Sequence, residues 1–424
     1  MNSLIAVRVA VYCFAAIAVL SGCARTLNAT PPTPGGELVS LRPDVHQYKM
    51  LYSFGGEPGG QDPSGMGIFN GSLYGTTLEG GSTNHGAVFS SSLSGKPKVI
   101  YSFQGGSDGW EPNGGLTEFH GSFYGVTYVG GGTSCRGGNG CGTVYAIDSS
   151  GKERVVYRFK PNKIDGWFPD SSLVLINGVL YGATSFGYET RCGSYYGCGR
   201  IFSIDSAGKE RVIYRFKGRG DGCWPRSLLA FKGTIYGVAQ GSGISSQCAP
   251  DGPGTVFAVT PSGKETVLHR FQGIPDGSDP NSLIEANGVL YGTTMEGGSQ
   301  TCEGGNRPCG VVFSVTTSGH ERVLYTFQGY ADGAGPNSLV WLKGQLYGTT
   351  CCDGFASAGG YGTIFTLTRS RVKNTLHRFN GPPRDGESPV GLTIVDGLFY
   401  GITGGGGTGR CASFTCGTIF RIAP

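Results

Sequence analysis

Apolar runs of five or six residues recur along most of the chain, separated by Gly, Asn, Ser and Pro. From Ser282 the pattern reads "SLIEANGVLYGTTMEGGSQTCEGGNRPCGVVFSVTTSGHERVLYTF". Short apolar runs bounded by turn residues predict strands. Strand a is "SLIEA". "NG" predicts a tight hairpin, because both residues accept the positive φ that such turns require. Strand b is "VLYGTT", and a long Gly-rich loop follows. Strand c is "GVVFSV", and "TTSGHE" turns into strand d, "RVLYTF".

The unit repeats. Tyr-Gly stands at Tyr74, Tyr124, Tyr181, Tyr236, Tyr291, Tyr347 and Tyr400. A Gly-x-β-branched-aromatic marker begins at Gly86, Gly142, Gly199, Gly254, Gly310, Gly362 and Gly417. Strands end in a phenylalanine at Phe54, Phe103, Phe159, Phe216, Phe271, Phe327 and Phe379. Four antiparallel strands per roughly 54 residues is the period of a β-propeller blade.

The two ends of the repeat region predict a closed ring. "KMLYSF", residues 49–54, is a strand d without its blade, and the last unit stops after strand c at "GTIFRIAP". One orphan d, six full units and one a-b-c make seven blades. The predicted fold is therefore all-β, a seven-bladed β-propeller over 47–424, closed by 49–54 pairing with 417–423. Closure hides a sheet edge, whereas an open stack would need capping repeats. Strand d is expected outermost, with "GKERV" and "GKETV" charges guarding an exposed edge. The glycine after each Tyr in strand b implies a close approach there, attributed to blades crowding towards the axis.

Composition fits this picture. Glycine makes up 78 of 424 residues, charged residues 15 % and aromatics 11 %. No Gly-X-Y period is present, and the aromatic content argues against a disordered chain. A formal charge of +4 without a basic patch predicts no nucleic-acid partner.

Residues 1–22 read as an export signal: Arg8 precedes the apolar run "VAVYCFAAIAVL", too short to span a bilayer comfortably. "LSGC", ending at Cys23, resembles the lipobox of bacterial lipoproteins. That resemblance implies cleavage before Cys23, a lipid on its thiol, and anchorage to a membrane. Ala24 follows it, which resembles outer-membrane sorting in a Gram-negative cell. Residues 23–46, rich in Pro, Thr and Gly, read as a tether.

Together "LYGTT", "GTVF", the Ser-Gly turn and "LYSF…DG…P" over residues 49–424 resemble the bacterial choice-of-anchor tandem repeat proteins called GloVer-containing. The resemblance implies an exported repeat protein and no particular reaction. This chain departs from the usual pattern in its cysteines and its loop tryptophans.

In a four-stranded blade the b–c loops and the d–a linkers share one face, where binding residues usually collect. The linkers carry "DGxxP" with Asp108, Asp165, Asp221, Asp276, Asp332 and Asp385. The first copy, "GGQDP", has Gly59 instead. An aspartate used six times reads as a turn residue, with Gly in a left-handed conformation and Pro opening the next strand; the alternative is a metal-binding or catalytic ring. Trp110, Trp167 and Trp224 sit in three successive linkers. Each is read either as a wedge between blades or, with Tyr188, Tyr195 and Tyr196 of a nearby loop, as a stacking platform for a ligand.

Cysteine usage fits export. Cys135–Cys141, Cys192–Cys198, Cys302–Cys309 and Cys411–Cys416 are candidate loop-internal disulfides, and Cys223 and Cys248 can pair. Cys351 and Cys352 are either a vicinal disulfide or two thiols. The spacings do not favour zinc, and neither a metal nor another cofactor is expected. Of the histidines, only His85 lies in a loop of this face, and no Ser-His-Asp set is visible. The expected role is a monomeric, non-enzymatic binding or scaffold module for a glycan or envelope protein. The alternative is a carbohydrate-active hydrolase or lyase using loop-face carboxylates such as Glu79, Glu111, Glu296 and Glu387.

Overall fold

The structure is a computed structural model. It describes residues 47–424 other than 57–58, 95, 133, 136–137, 149, 163, 188–196, 219, 242–251, 299–301, 303–308, 353–359, 410 and 412–415. It is a seven-bladed β-propeller of antiparallel sheets, each in the order a-b-c-d. Blade 1 consists of Gln61–Phe69, Ser72–Glu79, Ala87–Ser92 and Lys98–Ser102, and blades 2–6 repeat that plan. Blade 7 takes Gly386–Val395, Leu398–Gly406 and Thr418–Ile422 from the end of the chain and Lys49–Ser53 from its beginning. The closing pairs include Lys49↔Arg421 and Ser53↔Thr418, so the ring shuts by the exchange predicted from the ends of the repeat region.

Strands a lie innermost, touching one another from blade to blade, and strands d form the outer rim. The a–b turns are hairpins in which both central residues have positive φ, as at Asn287-Gly288 (54° and 81°). Asn, His, Lys or Asp fills the first place in these turns and Gly the second. This is the geometry that matches strand twist.

Each repeat marker has a physical assignment. The strand d phenylalanine is 0–2 % exposed in every blade. It packs edge-to-face on the strand c aromatic of the next blade, with ring centroids 4.9–5.5 Å apart, from Phe54–Phe89 round to Phe379–Phe420. These seven contacts form a belt of aromatic seams, each favourable beyond its area burial by about 0.5–1.5 kcal/mol.

The strand b glycine is opposite that same strand c aromatic within its own blade, as in Gly292↔Phe313. A Cβ there would collide with the ring, at every one of the seven positions. The close approach inferred at Tyr-Gly is therefore real, but it comes from the blade's own cross-strand aromatic and not from crowding at the axis.

Strand a also starts earlier than the apolar pattern indicates. In blade 5 it spans Ser278–Ala286, taking in the "SDP" of the linker. Its register shifts between Pro280 and Ser282, and similar irregularities follow the linker proline in the other blades. In blade 3 the strand is broken outright into Gly166–Pro169 and Val174–Ile176. Proline tolerates this place because strand a is an inner edge, where a missing N–H breaks no ladder.

Candidate binding face

Every residue of the linker motif does something definite on the face shared with the b–c loops. The aspartate accepts a hydrogen bond from the aromatic or histidine two residues before the buried phenylalanine. Its donors are Tyr101 to Asp108 (2.9 Å), Tyr157 to Asp165 (2.6 Å), Tyr214 to Asp221 (2.7 Å) and Tyr325 to Asp332 (2.8 Å). His269 takes this place at Asp276 (2.9 Å) and His377 at Asp385 (3.1 Å). The backbone N–H of the residue after the phenylalanine adds a second bond in all six, at 2.6–3.1 Å. The carboxylate thus closes a turn between strand d and the linker, satisfying a backbone donor there.

The motif glycine lies against a recurring layer of buried Thr side chains, as Gly277 does against Thr294. The residue before proline is left-handed, as at Glu111 (φ 58°), Phe168 (58°), Trp224 (56°), Asp279 (56°) and Ser388 (53°). That twist points its N–H at the preceding blade's b–c loop. Glu111 donates to the His85 carbonyl (3.0 Å), Phe168 to Cys141 (2.9 Å), Trp224 to Cys198 (3.0 Å), Gly335 to Cys309 (2.9 Å) and Ser388 to Tyr361 (2.9 Å).

The proline then seats over the glycine that opens strand c of the preceding blade. That glycine has φ between 86° and 94° in all seven blades. A Cβ on Gly310 would lie 2.8 Å from Pro336 Cδ. The two markers, one on strand c and one on the linker, are the two halves of one inter-blade joint.

The residue after proline bulges from the innermost strand. Ser64, Asn113, Asp170, Arg226, Asn281, Asn337 and Val390 occupy this place. Most of their polar atoms bridge neighbouring blades. Arg226 pairs with Asp170 at 3.1 Å, with 13 % and 4 % of their side chains exposed. Asn113 also donates to Asp170, Asn281 bonds Asn337 (2.5 Å) and Asn337 bonds the Pro389 carbonyl (3.2 Å). Bulges re-aim side chains in this way. Sequence reading passed over this ring, since its residues differ in type and only their fixed place after proline marks them.

The tryptophans divide. Trp167 is 4 % exposed, in a cluster with Phe168 and Phe186, so it presents no ring face to a ligand. The wedge reading describes it, because the linker joint turns this side chain between two blades. Trp110 and Trp224 are half-buried against the same cluster, and each has a buried indole N–H with no acceptor among the described residues. His85 lies edge-on to Trp110 at 5.0 Å. Tyr188, Tyr195 and Tyr196, the other members of the supposed platform, lie outside the described residues.

Of the four carboxylates considered for hydrolysis, Glu79 ends strand b of blade 1, where Gln61 donates to it. Glu296 ends strand b of blade 5, while Glu111 and Glu387 lie in strands a of blades 2 and 7. No group of three or more His, Cys, Asp or Glu able to hold a metal occurs among the described residues.

Disulfides join Cys135–Cys141, Cys302–Cys309 and Cys411–Cys416 within their b–c loops. Cys198 and Cys223 are also disulfide-bonded; their expected partners Cys192 and Cys248, like Cys23 and the segment around it, lie outside the described residues. Cys351 and Cys352 have their sulfurs 2.8 Å apart, both directed at the Ala334 carbonyl. Both residues end strand b of blade 6, Gln345–Cys352.

The chain belongs to the Gloeobacter/Verrucomicrobia repeat family, which it matches over residues 24–249 and 243–424. No curated protein matches it. Solved structures similar to it include a putative 6-phosphogluconolactonase from Bacteroides fragilis, at 14 % identity and TM-score 0.49, over 78 % of this chain and 86 % of that one. The computationally designed Ika8 protein aligns at 11 % identity and TM-score 0.47, over 88 % and 99 % of the two chains. A prolyl endopeptidase aligns at 12 % and 0.47, over 83 % of this chain and 46 % of that one.

Proposed function

We propose that this member of the repeat family is an exported, lipid-anchored binding module that displays its loop face to a glycan or protein of the cell envelope. One observation carries the reading. The linker Gly and Pro, the glycines of strands b and c and the strand d phenylalanine are taken up by joints between strands or blades, while three varying segments of the repeat share one face. They are the two positions between Gly and Pro, the bulged residue after Pro, and the b–c loops. A ring of fixed joints that carries varying segments together on one face is the layout of a recognition scaffold. Short disulfides within several of those loops reduce the ordering cost of binding. The tether and the lipobox ending at Cys23 supply the address.

Binding of the soluble chain from residue 24 onwards to arrayed envelope glycans tests the reading. Retained binding is expected with Lys209→Ala, in an exposed c–d turn on the opposite face, and loss is expected with Trp110→Ala or Trp224→Ala in protein that melts normally. Absence of binding to any glycan removes the glycan version. Cys23→Ser releases the protein from membranes; a variant that stays membrane-bound with its signal removed overturns the anchor.

A further inference from the structure

At six of the seven seams a second side chain approaches the linker aspartate from the next blade. It stands four residues before that blade's strand d Tyr or His. At Asp332 it is Lys373, whose Nζ lies 3.0 Å from Oδ1 and 2.6 Å from the Asp332 carbonyl. At Asp385 it is Tyr48, with its hydroxyl 2.6 Å from Oδ1. The linker into blade 1 has Gly59 in place of aspartate, and the corresponding residue of blade 1 is Pro97, so neither side brings a charge.

At the four remaining seams, consecutive from blade 1 to blade 5, the residue is a glutamate. Glu153 faces Asp108 within hydrogen-bond reach, and Glu210, Glu265 and Glu321 feel the charges of Asp165, Asp221 and Asp276. In all four the Oε1 atom is buried and has no hydrogen-bond partner. A carboxylate in that position faces a second acid with a bare acceptor, which is costly; a carboxylic acid can donate across the seam.

We propose that these four seams are proton-linked clasps, in which a neutral glutamic acid of one blade donates its hydrogen to the linker aspartate of the preceding blade and its deprotonation loosens the joint. The surroundings agree. Burial first, then the neighbouring aspartate, pushes Glu153 and Glu210 up to about 7. Glu265 and Glu321 move the same way, also chiefly by burial. The other charged or titratable groups facing them are Tyr101, Tyr145 and Arg158 at Glu153; Tyr157, Lys160 and Arg215 at Glu210; and Tyr214, Lys217 and Arg270 at Glu265. His269 faces Glu321 and bonds Asp276.

The sign follows from linkage. A glutamate held up near 7 when folded and near its ordinary value when unfolded binds its proton more tightly in the native state. Its stabilisation is complete below the ordinary glutamate range and lost as pH rises through about 7. Unfolding near pH 6 therefore releases protons, up to about one per clasp. The ring loosens from blades 1–5, while the seams holding Lys373, Tyr48 and Pro97 lack the device.

Thermal unfolding of the anchorless chain from pH 5 to pH 8, with calorimetry in buffers of different ionisation enthalpy, tests this. Wild-type protein is expected to melt lower as pH rises and to release protons on unfolding near pH 6. The triple variant Glu153→Gln, Glu210→Gln, Glu265→Gln keeps a neutral donor at each site and avoids the His269 seam. It is expected to show a flatter profile and to release fewer protons. A wild-type melting temperature that is level or rises with pH overturns the proposal, as does a triple variant that keeps the wild-type slope. Should the triple variant not fold, Glu210→Lys, which copies the Lys373 seam, must reduce the slope.

Discussion

Two arcs of the ring build the same joint from opposite materials. Between Gly and Pro, blades 2–4 carry Trp110-Glu111, Trp167-Phe168 and Cys223-Trp224. Blades 5–7 carry Ser278-Asp279, Ala334-Gly335 and Glu387-Ser388. The backbone does not differ: the second residue is left-handed in all six, with φ between 53° and 59°. Joint geometry is therefore set by Asp, Gly and Pro, together with the glycine that Pro covers. The residues between them are left to fill space or meet a partner. In the first arc they fill space: Phe168 stacks with Tyr128 at 4.8 Å, and Phe186 meets Trp224 edge-on at 6.1 Å.

The largest expected effect is at Trp167. Truncation to Ala leaves a cavity in the cluster shared by blades 2 and 3 and is expected to cost about 3–5 kcal/mol. Glu387→Ala, at the matching place in the other arc, removes a half-buried side chain and is expected to cost about 1 kcal/mol or less. Urea denaturation of both variants measures the gap, and equal losses would abolish the distinction between arcs.

The covered glycine should behave oppositely, alike in both arcs. Gly142→Ala and Gly362→Ala each place a Cβ at φ 93° and 94° under a proline of the next blade. The left-handed conformation alone costs about 1–2 kcal/mol, and the proline contact adds to it. A large difference between the two variants would mean that apolar filling, not the joint, decides stability there.

Much of this was legible before any coordinates. The repeat, the strand order and the closure followed from apolar runs, Gly-rich punctuation and the staggered ends. These signals are local, or repeat seven times. What escaped was the partner of each signal. "YGT" reports a close approach without saying to what; only the register shows Gly292 beneath Phe313. Glu153 looked like edge charge in "GKERV", because sequence cannot show that the turn folds back on the preceding blade, where Gly151 comes up against the Ile100 carbonyl. Trp110, Trp167 and Trp224 looked equivalent by spacing, yet they sit at two different places of the motif and differ in burial. The candidate face was legible as a face, through strand parity, but its bulged inner ring was not.

The last expected effect is a gain in stability and concerns the one linker that lacks an aspartate. Gly59 stands where the other six have aspartate, and Tyr52 stands where the aspartate's donor is found elsewhere. A Cβ added at Gly59 would meet the Tyr52 hydroxyl at 3.6 Å and the Gly56 carbonyl at 3.5 Å, which are ordinary contacts. Gly59 is also not among the left-handed glycines, so an L residue fits its backbone. Gly59→Asp should therefore supply Tyr52 with the acceptor that Tyr157 finds in Asp165. The new hydrogen bond is worth about 0.5–1.5 kcal/mol, and replacing glycine lowers the entropy of the unfolded chain. The variant is expected to be modestly more stable than wild type in urea, while Asp165→Gly loses stability at an equivalent joint. A Gly59→Asp protein weaker than wild type would show that the seam between blades 7 and 1 is built on a different plan from the other six.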